Sequence, residues 1–271
     1  MEKHYLTTWW YAFQQRDLFS IAYEESTKVR ALMDLNVEIV ITADSDSKMY
    51  DGSPLTNAGY TYTEGVLAEG DVLTAVVEGT ITNVGTEANV VKSYKVMRGE
   101  TDVTANYTFG ESVDGELEIT KRSVTLTSAT DSKTYDGTPL TNDTVTVSGD
   151  GFVTGEGATY DVTGTITDPG TADNTFTYTL NEGTNANNYT ITKVEGTLTI
   201  NKITTEIVIT ADNDSKTYDG SALTNAGYTY TEGILAEGDE LSATVEGTIT
   251  DFGTAANVVT GYKAMRSSGK P

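Results

Sequence analysis

The sequence contains no cysteine and a single histidine, His4, among its 271 residues. Because His4 precedes the repeated part of the chain, that part lacks thiol nucleophiles, imidazole bases and the commonest zinc ligands. Disulfide crosslinks are excluded as well. Only carboxylate chemistry remains for catalysis, and nothing marks two of the 40 acidic residues as a matched acid and base. We therefore expect no enzyme, and we assign no catalytic, cofactor-binding or metal-binding residues.

Basic residues are also scarce: 17 Lys and Arg face 40 Asp and Glu, for a formal net charge of -23. Such a charge repels phosphate backbones and anionic lipid head groups, so we expect no nucleic-acid partner. No apolar run approaches the roughly 20 residues that cross a bilayer, and we recognise no export signal. We expect no membrane span in this chain, a solvated surface and no oligomer.

Three copies of Tyr-Asp-Gly mark a tandem repeat; they begin at Tyr50, Tyr135 and Tyr218, 85 and then 83 residues apart. The outer copies are the most alike, since 38 of 45 positions are identical when 38–82 is aligned with 206–250. A period of this length indicates domain-sized units. Repetition favours a scaffold or stalk, because spacing and multivalent adhesion gain from copies of one fold whereas an active site is usually assembled once.

The third copy ends early. At the offset of 168 residues Tyr262 matches Tyr94, and Pro271 corresponds to Val103. The first copy continues through 106–108 and 116–119, which we interpret as its closing strands. We expect the third unit to expose unpaired strand edges and apolar surface, and the sequence to be a fragment. The alternative is a last unit that is complete with fewer strands.

From Val37 onward apolar and polar residues alternate with a period of two, as in 37–42, 124–127 and 196–200. Clusters of Gly, Asn, Asp and Ser separate these runs. The pattern predicts an all-β chain of small, immunoglobulin-like β-sandwich repeats, with β-grasp-like repeats as the alternative. The predicted boundaries are 37–123 for repeat 1, 124–204 for repeat 2 and 205–271 for a truncated repeat 3.

Residues 1–36 differ from the rest, since they contain both tryptophans and no Gly or Pro. Their apolar spacing predicts a short helical N-terminal segment that packs on repeat 1, binds a partner or is poorly ordered. The joints between repeats, 118–124 and 200–206, also lack Gly and Pro. They are unlike flexible tethers, so we expect neighbouring repeats to form a semi-rigid rod.

The Asp-Gly pair of each Tyr-Asp-Gly predicts a tight hairpin or bulged turn, because Asp-Gly supplies the positive φ angles that such turns require. Acidic residues near two of these turns could supply oxygen ligands to a structural calcium ion, which remains a lesser alternative to a chain without cofactors. These residues are Asp44, Asp46 and Asp51, and Asp212, Asp214 and Asp219. Repeat 2 keeps only Asp131 and Asp136 of this pattern.

Two further candidates involve repeated side chains. Alternate tyrosines, Tyr60 and Tyr62 with their counterparts Tyr228 and Tyr230, could stack on sugar rings, although packing within the sheet is the favoured interpretation. An intramolecular isopeptide bond between a lysine before the turn and a late asparagine is a second hypothesis. Its candidates are Lys48, Lys133 and Lys216 with Asn106 and Asn188.

Two blocks, 132–142 (SKTYDGTPLTN) and 188–200 (NYTITKVEGTLTI), resemble the YDG/MBG-type repeats of large bacterial surface proteins. The resemblance covers residues 37–271, and its motifs occur in the same order in both complete units. It implies an extracellular, adhesin-like protein of a Gram-positive cell wall or surface, in which such repeats commonly form stalks, and it implies no catalytic residues. A family member would carry a signal peptide and a wall anchor, and we recognise neither here.

These observations together predict a non-enzymatic stalk or spacer that displays an adhesive or other module. The alternative is that the repeats themselves bind host glycan, mucin or protein through exposed tyrosines and polar loops.

Overall fold

A computed structural model describes residues 37–64 and 66–266 of the chain. The predicted helical segment 1–36 lies outside these residues. Within them the regular structure is mostly β, as predicted, and the helical elements are single 3-10 turns at Thr104–Asn106 and Ala186–Asn188. No helix of this described part is long and apolar enough to cross a membrane. The chain divides into two compact units, unit 1 at Met1–Lys121 and unit 2 at Arg122–Pro271, and unit 2 contains repeats 2 and 3.

The described residues of unit 1 form seven strands. They are β1 (Ile41–Ala43), β2 (Asp46–Met49), β3 (Tyr60–Tyr62), β4 (Asp71–Glu78), β5 (Gly85–Arg98), β6 (Thr101–Asp102) and β7 (Gly115–Thr120). Four of them form one sheet in the order β2-β7-β5-β4, with β6 added to β5, while β1 pairs with β3. The long strand β5 pairs antiparallel with β7 through Gly85–Asn89 and with β4 through its second half.

Strand β7 closes unit 1 by pairing in parallel with β2, so that Asp46 lies opposite Leu117 and Met49 opposite Thr120. Tyr50 extends this pairing, since its backbone N–H donates to the carbonyl oxygen of Thr120 at 2.9 Å. Upstream, the N–H of Ile39 donates to Thr108 O at 2.8 Å. The first section of the unit, 39–50, therefore runs beside its last section, 108–120, in the same direction.

The alternation along β7 decides which side chains enter the core. Gly115, Leu117 and Ile119 are buried, and the intervening Glu116, Glu118 and Thr120 are exposed. A second buried cluster contains Ile39, Ile41, Leu73 and Val96, with Tyr107 and Phe109 packed against it. Period-two alternation with one wet face is the pattern that the sequence predicts for these strands.

Repeat 2 forms eight strands within unit 2. They are β8 (Arg122–Ser128), β9 (Asp131–Thr134), β10 (Val145–Gly149), β11 (Ala158–Val162), β12 (Gly170–Asn174), β13 (Phe176–Leu180), β14 (Tyr189–Val194) and β15 (Gly196–Asn201). Their sheets have the orders β10-β8-β14, β12-β15-β9 and β11-β13. Parallel pairing again joins the start of the repeat to its end, because β14 pairs with β8 and β15 with β9.

The described part of repeat 3 forms four strands, β16 (Ile209–Ala211), β17 (Tyr228–Tyr230), β18 (Asp239–Glu246) and β19 (Val258–Arg266). Strands β18 and β19 reproduce the pairing of β4 and β5, including the register shift at Thr244/Val245 that matches Val76/Val77. Tyr218 is 63% exposed, although its counterpart Tyr50 is 5% exposed. Repeat 3 thus exposes apolar surface, as the sequence predicts.

We predict that Gly115→Ala destabilises repeat 1 by about 1–3 kcal/mol, because a Cβ atom at Gly115 would overlap the carbonyl oxygen of Asp44 across the closing pair. Amide hydrogen exchange of repeat 1 peptides within the whole chain measures this loss. Gly261→Ala is the matched control, since the nearest atoms to its Cβ would lie 4.0 Å away. Equal protection in the two variants would contradict the close approach of β7.

Candidate functional site

Each Tyr-Asp-Gly turn is organised around the lysine that precedes it. Lys48 Nζ lies 2.8 Å from Asp51 Oδ1 and 2.7 Å from Ser53 Oγ. Asp51 Oδ1 also accepts the backbone N–H of Ser53 at 2.9 Å. Gly52 has a φ of +81°, the left-handed conformation that glycine adopts at least cost. The predicted positive φ of the glycine is present, but the segment bends without forming a hairpin, since β2 pairs with β7 and not with the next segment of the chain. The lysine is part of this turn.

The same arrangement occurs in the other two repeats, and we call it the lysine turn. In repeat 2, Lys133 Nζ lies 2.7 Å from Asp136 Oδ1 and 2.6 Å from Thr138 Oγ1. In repeat 3, Lys216 Nζ lies 3.0 Å from Asp219 Oδ1 and 2.6 Å from Ser221 Oγ. Sequence reasoning located the turn but missed these bonds, although lysine precedes Tyr-Asp-Gly by the same spacing in all three copies.

The lysine turn bears on the calcium hypothesis. The hydrogen bond from Lys48, followed by those from Ser53, holds the pKa of Asp51 well below its usual range. In repeat 2 the hydrogen bonds from Lys133 and then Thr138 lower the pKa of Asp136 in the same way. For Asp219 the largest cause of the lowered pKa is the backbone N–H of Ser221. These carboxylates therefore bind a lysine of their own turn. Within 37–64 and 66–266, no three or more acidic or histidine side chains are grouped so as to hold a metal ion.

A buried asparagine joins strand β5 to two loops of repeat 1. Asn89 is fully buried, and its Nδ2 donates to the carbonyl oxygens of Asp44 at 2.8 Å and Asn57 at 2.9 Å. We call this arrangement the asparagine bracket. Its counterparts are Asn174, which donates to Ala129 O and Asn142 O, and Asn257, which donates to Asp212 O and Asn225 O.

The asparagine bracket requires a glycine beside it. The Oδ1 atom of Asn89 is buried and accepts no hydrogen bond from the described residues, as is true of Asn174 and Asn257. A Cβ atom on Gly79 would lie 2.8 Å from that oxygen and 2.7 Å from the carbonyl oxygen of Ala88. Sequence reasoning missed this pair, yet the signal is present, because a glycine stands ten residues before the asparagine in every copy.

A second polar cluster in unit 1 surrounds Asp71, whose side chain is buried. Arg98 binds both carboxylate oxygens, at 2.6 Å through Nε and 3.0 Å through Nη2. The hydroxyl of Tyr107 donates to Oδ2 of Asp71 and accepts the backbone N–H of Ala68 at 2.9 Å. The Arg98 guanidinium, and after it the Tyr107 hydroxyl, lower the pKa of Asp71.

In repeat 3, the carboxylate that corresponds to Asp71 is Asp239, and the tyrosine that binds it belongs to repeat 2. The hydroxyl of Tyr135 in repeat 2 lies 2.9 Å from Oδ2 of Asp239 in repeat 3. Arg266 Nη2 donates to the same hydroxyl at 2.7 Å and lies 3.0 Å from Asp168 Oδ1. Burial is the main cause that raises the pKa of Tyr135. A tyrosine of the Tyr-Asp-Gly motif thus makes a direct contact between repeats 2 and 3.

The paired tyrosines of β3 have different environments. Tyr60 packs against the buried cluster of Ile39 and Leu73, and its hydroxyl donates to Leu73 O at 3.2 Å. Tyr62 is 36% exposed. In repeat 3 the hydroxyl of Tyr228 donates to Leu241 O at 3.1 Å. One tyrosine of each pair therefore belongs to the sheet packing, which supports that interpretation over a stacking platform for sugars.

The lysines proposed for an isopeptide bond are engaged elsewhere. The ammonium groups of Lys48 and Lys133 bind the lysine turns of their own repeats. Asn106 is exposed on a 3-10 turn, whereas Asn188 is fully buried on the matching turn of repeat 2. The two complete repeats therefore do not share one environment for the asparagine of that hypothesis.

Comparison with known protein families, with characterised proteins and with solved structures finds no significant match to this chain. The geometry is therefore interpreted from its own chemistry. The lysine turn, the asparagine bracket and the carboxylate clusters all use their polar atoms to join segments of the chain to one another.

We predict that Asn89→Ala destabilises repeat 1 by about 1–3 kcal/mol, because the carbonyl oxygens of Asp44 and Asn57 would lose their buried donor. Hydrogen exchange of repeat 1 peptides in the whole chain is the measurement. The exposed Asn106→Ala serves as the control and should leave protection unchanged. If Asn89→Ala left the protection of repeat 1 peptides unchanged, the bracket would contribute nothing to stability.

We predict that unit 1 loses stability as the pH falls below about 4, near the pKa of an unfolded aspartate. Since the folded pKa of Asp71 is depressed, its contribution is complete above the unfolded pKa and disappears as the pH falls through the folded value. Asp71→Asn should make repeat 1 less stable at neutral pH and its stability less dependent on acid, as followed by circular dichroism and hydrogen exchange. The exposed Asp114→Asn is the control; identical acid profiles for Asp71→Asn and the parent chain would argue against this linkage.

Proposed function

We propose that the repeats form a non-enzymatic, load-bearing spacer of a bacterial surface protein of the YDG/MBG type, which displays an adhesive or other module away from the cell. Each complete repeat would be a small sandwich of the immunoglobulin-like kind. The observation that carries the proposal is the parallel pairing of the first and last sections of each complete repeat, 39–50 with 108–120 and 122–134 with 189–201.

Parallel pairing matters because of how a tandem repeat is loaded. Tension enters a repeat at its first strand and leaves at its last. When these strands are parallel neighbours, tension pulls them in opposite directions along their length, and the hydrogen bonds between them resist together. In an antiparallel hairpin pulled from its two open ends, the bonds would instead open one at a time. The pairs β2–β7, β8–β14 and β9–β15 all have the parallel arrangement.

The repeated polar groups reinforce these pairs in each complete repeat. The asparagine bracket fixes the loop after the first strand, because Asn89 and Asn174 bind Asp44 O and Ala129 O. The closing strands are anchored by side chains as well. Glu116 N donates to Ser45 Oγ at 2.9 Å, and at the equivalent place in repeat 2 Thr197 N donates to Thr130 Oγ1 at 3.1 Å. Bonds that recur at the same structural place support a role shared by every copy, as a spacer requires.

We predict that pulling the whole chain from its two ends by single-molecule force spectroscopy gives two high-force unfolding events. Each should lengthen the chain by roughly 25–30 nm, the contour of about 80 extended residues. Repeat 3 should open at lower force, because the described part of the repeat contains no parallel closing pair. The force at which a repeat unfolds depends on its unfolding rate, and the parallel pair should slow unfolding under tension.

Leu117→Ala tests the assignment, because it removes a fully buried side chain from β7 and leaves repeat 2 as an internal control. One of the two high-force events should weaken and the other should keep its force. If the two complete repeats open as easily as repeat 3, or if Leu117→Ala leaves both events unchanged, the load-bearing role is wrong.

A further inference from the structure

Repeat 3 has a groove of about 430 Å³ on its surface, between the segment 213–218 and the segment 247–257. Its lining is partly apolar and includes Tyr218, Leu223, Ile249 and Phe252. Phe252 is 98% exposed and Tyr218 is 63% exposed. Two large aromatic side chains beside one groove form an exposed surface of the kind that mediates binding.

The two walls of this groove correspond to the two strands of repeat 1 that lie on either side of β7. At the offset of 168 residues, 214–217 matches β2 and 253–257 matches Gly85–Asn89 of β5. In unit 1 the closing strand β7 lies between these two segments, parallel to β2 and antiparallel to β5. Repeat 2 repeats the arrangement, with β15 between β9 and β12. The groove is therefore the place that a closing strand occupies twice elsewhere in this chain.

The difference in exposure has a direct physical cause. In unit 1 the backbone N–H of Tyr50 donates to Thr120 O, and Tyr50 is 5% exposed. Leu55 is buried in unit 1, whereas its counterpart Leu223 is half-buried. Tyr50 and Leu55 have the identical counterparts Tyr218 and Leu223, so the closing strand accounts for the difference in their burial.

The two closing strands define what fits the groove. Each presents glycine, leucine and isoleucine at alternate positions, as Gly115, Leu117 and Ile119 and as Gly196, Leu198 and Ile200, all buried. The glycine is needed because a Cβ atom would overlap backbone carbonyl oxygens, those of Asp44 in repeat 1 and of Ser128 and Ala129 in repeat 2. Leucine and isoleucine then fill the core side of the sheet.

We propose that the groove of repeat 3 is an acceptor site for a β-strand with the pattern Gly-x-Leu-x-Ile, supplied by a segment of the same repeat type. The incoming strand runs parallel to 214–217 and antiparallel to 253–257. Backbone hydrogen bonds to both walls supply affinity, and the two apolar side chains supply specificity, as in strand addition to an exposed sheet edge. This inference does not depend on the load-bearing role of the complete repeats.

Binding is tested with a synthetic peptide of residues 107–121 (YTFGESVDGELEITK) added to the whole chain. Saturable binding in calorimetry is expected, with new hydrogen-exchange protection in 213–218 and 253–257. The control peptide carries Leu117→Lys and Ile119→Lys. Because the chain has a net charge of -23, the added lysines would strengthen any nonspecific electrostatic attraction. Loss of binding by the control peptide would therefore show that binding depends on the two apolar side chains. Equal binding of both peptides would overturn the proposal.

The register of the added strand is tested by disulfide trapping. The chain has no cysteine of its own, so no native thiol competes with the introduced cysteines. In unit 1 Thr86 lies opposite Glu118, so a Thr254→Cys chain should crosslink to a peptide carrying Glu118→Cys. A peptide carrying Glu116→Cys is the matched control and should crosslink several-fold less. Equal yields, or a preference for the control, would contradict the predicted strand position.

A second copy of the chain is the competing occupant. Light scattering across a range of chain concentrations distinguishes it from the strand proposed here. A monomer that binds the 107–121 peptide supports the proposal. A dimer that excludes this peptide at every concentration would assign the groove to a second copy and overturn it.

Discussion

The parallel pairing of the first and last strands is the constraint on which the rest of each repeat depends. In unit 1, β7 must enter between β2 and β5 before Leu117 and Ile119 can be buried or Tyr50 can be covered. Strands β2 and β7 are about 70 residues apart in sequence, so closing the repeat costs chain entropy that only the completed sheet offsets. Order within a repeat is therefore a property of the whole repeat.

Polar groups contribute much of the local structure because the repeats are small and lack disulfides. A domain of roughly 80 residues buries only about two-thirds of the surface of its unfolded chain, so its apolar core is limited. The asparagine bracket supplies two buried donors to loop carbonyls at once, and the lysine turn satisfies carbonyl and carboxylate oxygens at the opposite end of β2. Such side-chain bonds to the backbone fix loops that would otherwise depend on water.

Much of the fold could be predicted from the sequence, and the limits have physical causes. Period-two alternation identified strands such as β7 and β8, because alternation reports which face is buried. It could not identify strand partners, since the same pattern suits parallel and antiparallel neighbours, and the parallel pairing was not predicted. Asn89 was missed because its acceptors lie 45 and 32 residues away, and the sequence marks it only by the recurrence of a glycine ten residues before it in every copy. The lysine turn was local, but its lysine was considered only as a candidate for an isopeptide bond.

Repeats 1 and 3 show how far burial depends on context. Of 45 aligned positions 38 are identical. Even so, Tyr50 is 5% exposed and its counterpart Tyr218 is 63% exposed, and Ile39 is buried whereas its counterpart Ile207 is half-buried. The lysine turn and the asparagine bracket persist in repeat 3, since their partners all precede the closing strand. The repeat therefore has two layers of organisation. Local turns and brackets shape an acceptor, and the closing strand then converts that acceptor into a buried core.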